Sequence, residues 1–334
     1  MSASVQTLKF AGVEGLCEAA KGADLITTQL SAGRCHGTLL HADVAGLSVS
    51  AGSCHGHLRA RGVMHPVKLT LGLLLESDGP ITEWGSETIP GDVVVFPQKS
   101  EQEGFFNAQF QYMTISLSSE DLNRLVPSYE HLDRPQLWTN TGQYRPSVEM
   151  RAAVCDKLLS CRALVHHAGP DLTPHAQRML REEIIDTFLG AMAEAVARPP
   201  QFSAMRNSAK IVAQVEDYVR DRRDAVPELG EISGALGLPR RTLDLAFQDT
   251  LGIGAKSYLR LMRLSAVRRA LIESGRNQEN AVRIALEHGF SDFERFSETY
   301  RQFFGELPMQ TAWRRPRERD PDAARRLQWK FLFK

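Results

Sequence analysis

The feature that most constrains the fold of this chain is a pair of similar segments in its C-terminal half. Ile232-Ser-Gly-Ala-Leu-Gly237-Leu238 resembles Ile284-Ala-Leu-Glu-His-Gly289-Phe290, with an apolar residue five positions before a glycine and another after it. Glycine there accepts the positive φ at which a helix ends and the chain turns. Each segment therefore predicts a helix, a tight turn and a second helix, which together form a helix-turn-helix unit.

The two units also match beyond their turns. With one inserted residue, three more positions correspond: Leu243 with Phe296, Phe247 with Tyr300, and Gly252 with Gly305. A helix between the units, at 1.5 Å per residue, spans about 27–30 Å over some 18–20 residues. This length approaches the turn of about 34 Å that separates successive major-groove segments. The repeat therefore predicts one domain that presents two recognition helices to DNA.

Helical periodicity and glycine or proline breaks extend this prediction over residues 207 to 315. The predicted helices are 207–223, 228–236, 240–250, 255–274, 279–288, 292–303 and 308–314. In the helix that joins the two units, the expected buried stripe is Leu259, Met262, Ala266 and Ala270.

Charge is distributed unevenly along the chain, although its total is zero. The 334 residues contain 40 Lys and Arg and 40 Asp and Glu, which by itself argues against a nucleic-acid partner. However, residues 1–204 carry 16 basic and 22 acidic side chains, and residues 205–334 carry 24 and 18. A net charge of −6 in the first part and +6 in the second is typical of a basic nucleic-acid-binding module joined to a region with another function.

The N-terminal part predicts strands followed by helices. Short β-rich segments with frequent turn residues over 25–118 favour a β-sandwich or barrel. Residues 119–198 are expected to be helical, with Thr173-Pro174 starting the last helix. Its apolar stripe is Met179, Ile184, Ile185, Phe188, Leu189 and Met192. The predicted domains are 1–200, 201–315 and a basic tail at 316–334, with the boundary at Pro199-Pro200.

Residues 210–315 resemble the AraC/XylS family of transcriptional regulators. The second unit, from Ile284 to Pro308, has that family's Ala-x-x-x-Gly-Phe turn, its Phe-x-x-x-Phe/Tyr ladder and its Gly-x-x-Pro ending, and Leu236–Phe247 fits the first unit. The resemblance covers about a third of the chain. It implies a sequence-specific regulator of the activating kind that binds double-stranded DNA, with RNA polymerase as a further candidate partner.

Pro90-Gly-Asp-Val-Val-Val-Phe-Pro97 resembles the strand entry of the cupin-like barrels found in many such regulators. The resemblance implies an α+β multidomain protein with an N-terminal cupin-like β-barrel, a small-molecule effector pocket and a homodimer. The 146–198 helices either form the dimer contact or pack against the barrel. Aromatic residues that line an effector pocket, or else belong to the core, are Trp84, Phe96, Phe106, Phe110 and Tyr112.

In the first recognition helix, Leu243, Ala246 and Phe247 share the predicted core face. The residues then left for the DNA groove are Arg240, Arg241, Asp244, Leu245 and Gln248. Arg pairs with guanine and Gln with adenine, while leucine contacts a thymine methyl. Asp244 either accepts from a cytosine amine or pairs locally with one of the two arginines.

In the second recognition helix, the resemblance directs six residues at DNA: Asp292, Phe293, Glu294, Arg295, Glu298 and Thr299, with Asp292, Glu294, Arg295 and Glu298 as the candidate base readers. Three of them are acidic, so this unit is expected to add less affinity. The alternative is that the acids form ion pairs on a solvated helix face.

Phosphate contacts are expected from basic residues that flank the two units. The candidates are Lys256, Arg260, Arg263, Arg301, Arg314 and Arg315, with Arg268 and Arg269 as further members. The tail either contacts DNA or docks back on the protein.

Cysteine and histidine usage leaves two alternatives open. Five cysteines without a regular framework favour free thiols and a cytoplasmic protein, although Cys35 and Cys54 are close enough in sequence to pair. His55-Gly-His57 would place two imidazoles on one strand face, but no third ligand occurs at a cupin-like spacing. We therefore expect no metal and no cofactor.

The leading interpretation is a non-enzymatic regulator with no membrane segment. The alternatives are a metal-dependent cupin-type enzyme and a DNA-binding protein without an effector.

Overall fold

The computed structural model describes residues 4–16, 19, 22–168, 171–197, 207–222, 226–274 and 278–313. It confirms the α+β architecture, with a strongly curled antiparallel sheet in the N-terminal part and helices in the C-terminal part. The predicted linker at Pro199-Pro200 and the tail at 316–334 lie outside the described residues.

Ten strands form the sheet in the described part of the chain. They are β1 (Ser4–Ala11), β2 (Asp24–Gln29), β3 (His36–Val44), β4 (Leu47–Val63), β5 (Leu69–Ser77), β6 (Ile81–Glu83), β7 (Ser86–Thr88), β8 (Val93–Phe96), β9 (Glu101–Leu117) and β10 (Gly142–Tyr144). Strands β1 and β10 lie outside the predicted β-rich range of 25–118, which therefore underestimated the sheet.

Two long strands, β4 and β9, organise the sheet. They pair antiparallel from Ser48 opposite Ser116 to Val63 opposite Glu101. The first half of β4 pairs with β3 and its second half with β2, while β9 pairs with β5 and β6. Because each long strand changes its outer partner along its length, the sheet curls on itself into a nearly closed barrel.

Four helices belong to the N-terminal part as the structure describes it: α1 (Ser119–Leu125), α2 (Gln136–Thr139), α3 (Val148–Ala168) and α4 (Pro174–Val196). Thr173 caps α4 by accepting from the backbone N–H of Ala176, with Pro174 in the first turn, as predicted. No helix in the described part of the chain is both long and apolar enough to cross a membrane.

The apolar faces of α3 and α4 pack against the outer face of the sheet. Ile184 and Phe188 of α4 and Leu158 of α3 share one core with Val95 and Ile115 of the sheet. Of the two predicted uses of these faces, packing on the barrel is the one observed. Met179 is an error in the predicted stripe, since it is exposed and Leu180 is buried in its place.

Seven helices form the C-terminal part over the ranges described: α5 (Asn207–Arg220), α6 (Leu229–Leu236), α7 (Arg240–Leu251), α8 (Ala255–Ser274), α9 (Gln278–Glu287), α10 (Phe293–Phe304) and α11 (Pro308–Ala312). Each falls within a few residues of a predicted helix. Two separate cores result, because α5, α6 and α7 pack with the start of α8, and α9, α10 and α11 pack with its end.

The buried stripe of α8 differs from the prediction. Leu264, Val267 and Leu271 are buried at helical spacing, whereas Met262 and Ala266 are only half-buried. The reason is that α8 serves two cores in succession, so its buried face changes along its length and a single stripe does not describe it.

The turn glycines have the predicted backbone. Gly237 ends α6 at φ +64°, and Gly289 lies at φ +84° in the second unit. A Cβ at Gly237 would meet no atom within 4 Å, so only backbone strain opposes a side chain there.

We expect Gly237→Ala to lower the free energy of unfolding by about 1 kcal/mol, because alanine resists positive φ. Gly234→Ala, three residues earlier inside α6, is the matched control and should raise it by about 0.5–1 kcal/mol. Urea unfolding of both variants measures the two changes in the free energy of unfolding. Changes of the same sign and size would contradict the prediction.

Candidate nucleic-acid interface and effector cavity

Helix α7 separates a buried face from an exposed one. Leu243, Ala246 and Phe247 are buried, as predicted. All five predicted groove residues are exposed: Arg240, Arg241, Asp244, Leu245 and Gln248. Leu245 is 60% exposed on this otherwise polar face, which is unusual for a leucine and suits contact with a thymine methyl.

Asp244 has a structural role that the sequence interpretation missed. Its Oδ1 accepts from the backbone N–H of Ala255 at 2.9 Å, at the first residue of α8. It therefore ties the recognition helix to the start of the next helix, instead of pairing with Arg240 or Arg241.

Helix α10 presents its predicted residues differently. Asp292 caps the helix by accepting from the backbone N–H of Arg295 at 3.0 Å. Glu298 holds Arg301 at 2.9 Å and also accepts from Gln302. Glu294 and Arg295 remain exposed. The acidic residues of this unit are thus partly engaged within the helix, as the alternative interpretation expected.

The basic residues around the units fall into two groups. Lys256 and Arg260 are exposed on α8, on the side of the helix away from its cores. Arg263, in contrast, donates to the carbonyl oxygens of Val226 and Pro227 and pairs with Glu228 at 2.8 Å. Its guanidinium therefore stabilises the approach to α6.

Arg268 is also not a phosphate contact. Only 3% of its side chain is exposed, and it lies between Glu14 at 2.6 Å and Glu306 at 2.7 Å. Arg314 and Arg315 lie outside the described residues. The positive charge of the C-terminal part is concentrated from there onward, since residues 205–313 hold 16 basic and 15 acidic side chains and residues 314–334 hold 8 and 3.

The barrel contains a mostly apolar, partly open cavity of about 110 Å³. Side chains from seven strands line it, from β2 and from β4 through β9. Phe96, Phe106, Phe110 and Tyr112 of the predicted pocket set are among them. Trp84 is not: it packs against Phe96 and donates from Nε1 to the Glu101 carbonyl oxygen at 3.1 Å. An apolar lining with a few polar groups is typical of a small-molecule site.

Four buried polar residues line this cavity: Glu83, Thr88, Gln102 and Thr114. Glu83 and Thr88 come from the β6–β7 hairpin, and Gln102 comes from the neighbouring strand β9. The Gln102 amide donates to both carboxyl oxygens of Glu83 at 3.3 and 3.4 Å. Thr88 Oγ1 and Gln102 Oε1 have no hydrogen-bond partner within the described residues. Unpaired buried polar atoms are costly, so these two atoms are available to a polar group that enters the cavity.

Burial raises the pKa of the Glu83 carboxyl from 4.5 to about 8. The hydrogen bond from Gln102 and the charge of Arg59 act on this pKa in the opposite direction, and the charge of Glu103 adds to the rise. Glu83 is therefore largely protonated at neutral pH and is able to donate a hydrogen bond into the cavity.

The strands that line the cavity also contact the DNA-binding part. Leu58 and Ala60 of β4 face the cavity. Because strand side chains alternate, Arg59 and Arg61 face the opposite way, toward helix α5. Arg59 makes two hydrogen bonds to Glu216 of α5, at 2.9 and 3.0 Å, and pairs with Glu103 at 2.7 Å.

The Arg59–Glu216 pair is almost fully buried, with 3% and 6% of the side chains exposed. Burial by itself would raise the pKa of Glu216, but the charge and hydrogen bonds of Arg59, the hydrogen bond from Tyr258 and the charge of Arg61 together outweigh it, and the pKa is lowered. Tyr258 of α8 also donates to Glu216. The pair therefore connects the cavity wall to the core of the first helix-turn-helix unit.

Two further contacts join the barrel to the C-terminal part. Phe105 of β9 packs with Val212 and Val215 of α5 in one apolar cluster. The backbone N–H of Gly33 donates to the carbonyl oxygen of Phe303 at 2.9 Å, near the end of α10. Both helix-turn-helix units thus touch the barrel.

The described cysteines and histidines do not assemble a metal site. Cys35 and Cys54 are free thiols whose sulfur atoms lie 3.5 Å apart, and the rings of His36 and His55 stack at 4.7 Å. Within the described residues, no three His, Cys, Asp or Glu side chains are placed to hold a metal ion.

The sequence interpretation missed the polar residues that matter most here. Glu83, Thr88 and Gln102 lie in strands of three to seventeen residues, where alternation alone does not tell a cavity face from a solvent face. Arg59 and Arg61 alternate with apolar neighbours and so resemble solvent-facing residues. The one available signal was the pair of arginines at alternate positions of β4, in a region that is otherwise rich in apolar β-forming residues.

Two helix-turn-helix units joined by α8, each with its own core and an exposed second helix, define a DNA-binding domain of the tandem helix-turn-helix class. Residues 232–314 match the helix-turn-helix domain family in its AraC-type form. The C-terminal part of the chain is thus an AraC-type helix-turn-helix domain.

The chain is also similar to curated regulators. It is 25% identical over 231 residues to XylDLEGF operon transcriptional activator 3 of Pseudomonas putida, covering 68% of this chain and 66% of that protein. It is 29% identical over 140 residues to regulatory protein HrpB of Ralstonia nicotianae, covering 42% and 29%. The chain thus spans 29% of the length of HrpB and slightly less than two thirds of the length of the operon activator.

Among solved structures, the chain is similar to ToxT from Vibrio cholerae O395. The alignment covers 92% of this chain and 97% of that one, with 9% identity and a TM-score of 0.30.

The Glu83 carboxyl makes stability depend on pH. In the unfolded chain it ionises near pH 4.5, whereas in the folded barrel it keeps its proton up to about pH 8. Its contribution to stability is therefore complete below pH 4.5 and is lost as the pH rises to 8. We expect Glu83→Gln to gain about 2–3 kcal/mol over the unsubstituted protein between about pH 5 and pH 8.

Urea unfolding at the two pH values measures this difference. The control is Glu87→Gln, an exposed position on the next strand, which should follow the unsubstituted protein at both. A gain for Glu83→Gln that does not change with pH would contradict a protonated Glu83.

Proposed function

We propose that this protein is a sequence-specific transcription regulator whose N-terminal barrel binds a small-molecule effector. The observation that carries the proposal is one strand pair, β4 and β9, that lines the cavity on one face and holds the DNA-binding part on the other. The similarity to curated operon activators supports activation as the outcome of DNA binding.

DNA recognition is assigned mainly to helix α7. Its exposed face combines two arginines, a glutamine and a leucine, which provide contacts for guanine, adenine and thymine. Helix α10 has a more acidic face and carries Glu294 and Arg295 as its exposed candidates. We therefore assign it a smaller share of the base contacts and a larger share of the positioning.

Effector response follows from the shared strands. A ligand that moves Leu58 or Ala60 also moves the backbone that carries Arg59 and Arg61. These arginines hold α5, which packs with α7 in the first core. A change in the cavity therefore reaches the recognition helix α7 through strand β4 and helix α5. Such a continuous physical connection is what coupling between two sites requires.

The remaining partners follow the same proposal. We assign the protein a binding and not a catalytic function, a cytoplasmic location with its DNA, and contact with RNA polymerase when it activates. A homodimer would place two such domains on one operator. Since α3 and α4 bury their apolar faces on the barrel, we assign the dimer contact to their outer faces, where Leu164 and Met179 are exposed.

Base reading by α7 is tested with Arg241→Ala. We expect it to weaken binding to the preferred operator by about 1–3 kcal/mol and to relax preference at one base pair, since alanine cannot make the bidentate hydrogen bonds to guanine. The measurement is selection of bound sequences from a random library, followed by titration of the selected operators.

Lys256→Ala is the matched control, because Lys256 is exposed beside the units and is assigned to phosphate. It should weaken all sequences equally and leave the selected sequence unchanged. A uniform loss from Arg241→Ala as well would remove Arg241 from the set of base readers.

The basic residues after 313 are predicted to supply much of the electrostatic affinity. Neutralising Arg317, Arg319, Arg325 and Arg326 to glutamine should reduce the slope of log K against log salt by about 0.9 for each phosphate that is no longer neutralised. Titrations at several salt concentrations measure the slope, with the selected sequence as the internal control. An unchanged slope would mean that this segment does not contact DNA.

A further inference from the structure

We propose that the barrel cavity selects an uncharged effector, in which an apolar body carries a neutral hydroxyl or amide head against Glu83, Gln102 and Thr88. This inference rests on the proposed function and goes beyond it by naming the chemical class of the ligand. The proposal excludes carboxylate ligands. A carboxylate would bind to an apolar cavity whose lining contains a cationic side chain.

The polar end of the cavity is built for a group that both donates and accepts. Thr88 Oγ1 and Gln102 Oε1 are unpaired among the described residues and lie in side chains that are 4% and 5% exposed. Glu83, 6% exposed, lies beside Gln102 and is held by the Gln102 amide. A hydroxyl or amide can donate to Gln102 Oε1 and accept from Thr88 or from a protonated Glu83.

Charge in and around the cavity disfavours a carboxylate. Within the described residues, the lining contains no lysine, arginine or histidine. The nearby cation is Arg59, which does not line the cavity and is engaged by Glu103 and Glu216 on the other face of the sheet. A carboxylate would therefore be desolvated without a partner and beside an acid, which strongly opposes its binding.

An ammonium head is disfavoured for a related reason. It would need an ionised Glu83, but burial keeps the proton on this carboxyl, with a pKa of about 8. The rest of the described lining is mostly apolar and offers an ammonium no second anion. A neutral head avoids both desolvation costs and satisfies the atoms that are unpaired.

The rest of the lining determines which kind of ligand body the cavity can hold. Phe106 and Phe110 stack at 4.7 Å between ring centres, and Leu58, Ile81 and Phe96 complete the wall. These side chains offer only apolar surface, so affinity there grows with the apolar area of the ligand. An aromatic or branched hydrocarbon body fits this wall.

The test is a matched series of four probes with one phenylbutyl body: 4-phenylbutanol, 4-phenylbutanamide, 4-phenylbutanoate and 4-phenylbutylammonium. Calorimetric titration of the full chain at about pH 7 gives the four dissociation constants. We expect the alcohol and the amide to bind at least about ten times more tightly than the carboxylate and the ammonium. Tighter binding of either charged probe, or no binding by any of the four, overturns the proposal.

Two substitutions locate the binding. Thr88→Val removes the unpaired hydroxyl at constant volume and should weaken the alcohol about five- to tenfold. Thr70→Val is the matched control, because Thr70 is fully buried in the same sheet but bonds Ser116 and does not line the cavity. Equal losses from both variants would mean that the alcohol does not reach the polar cluster.

A DNA titration of the same unsubstituted protein separates this inference from the proposed function. If it binds a selected operator but prefers a charged probe, the ligand class is wrong and the DNA-binding function stands. If no operator is selected, the proposed function itself fails, whatever the probes show.

Discussion

The buried ion pair between Arg59 and Glu216 is the interaction on which the arrangement of the two parts depends. Removing two charges from water costs several kcal/mol each, and only close geometry with further hydrogen bonds compensates for it. Here the guanidinium makes two hydrogen bonds to Glu216 and an ion pair with Glu103 at 2.7 Å, and Tyr258 supplies a third donor to Glu216. A small shift of β4 relative to α5 would break this geometry, so the pair holds the two parts in one register.

The pair also explains how a barrel and a helical domain act together. Strand β4 carries Leu58 and Ala60 on its cavity side and Arg59 and Arg61 on its other side. Strand β9 repeats the pattern with Gln102 and Phe106 inside and Glu103 and Phe105 outside. A change at the cavity wall is therefore a change at the domain contact, without an intervening chain of residues.

Glu14 and Arg268 make a second connection of the same kind. The carboxylate of Glu14, after the first strand, lies 2.6 Å from Arg268, which also contacts Glu306. Arg268 belongs to α8, the helix shared by both helix-turn-helix units. The barrel is thus linked by ion pairs to the first unit through α5 and to the second through α8, which fixes both units relative to the cavity.

Much of the C-terminal fold could be predicted from the sequence, because local signals there agree. Glycines at Gly237 and Gly289 mark the turns, and the apolar ladder from Phe296 to Tyr300 marks the core face. The exposed face of α7 could be predicted as the residues that remain once Leu243 and Phe247 are assigned to the core. The stripe of α8 could not be predicted in this way, because it depends on which of two cores each turn meets.

The N-terminal site was less accessible to sequence reasoning. Four aromatic residues of the cavity were predicted, because large apolar side chains between turn signals must point inward or into a pocket. The polar cluster was not, since Glu83 and Thr88 sit in strands of three residues that give no usable periodicity. The sequence makes Arg268 a candidate phosphate contact because a basic residue on a helix is usually exposed. Its two acidic partners lie 254 and 38 positions away, so no local pattern indicates them.

The most direct test of the account is whether Glu216 transmits the state of the cavity to DNA. The measurement is the ratio of operator dissociation constants with and without saturating 4-phenylbutanol, in the unsubstituted protein and in Glu216→Gln. Glutamine keeps the shape of the side chain and an acceptor for Tyr258 but removes the charge that holds Arg59. The account predicts a ratio of about fivefold or more in the unsubstituted protein and a ratio near one in the variant, with the alcohol still bound. The same ratio in both proteins would contradict it.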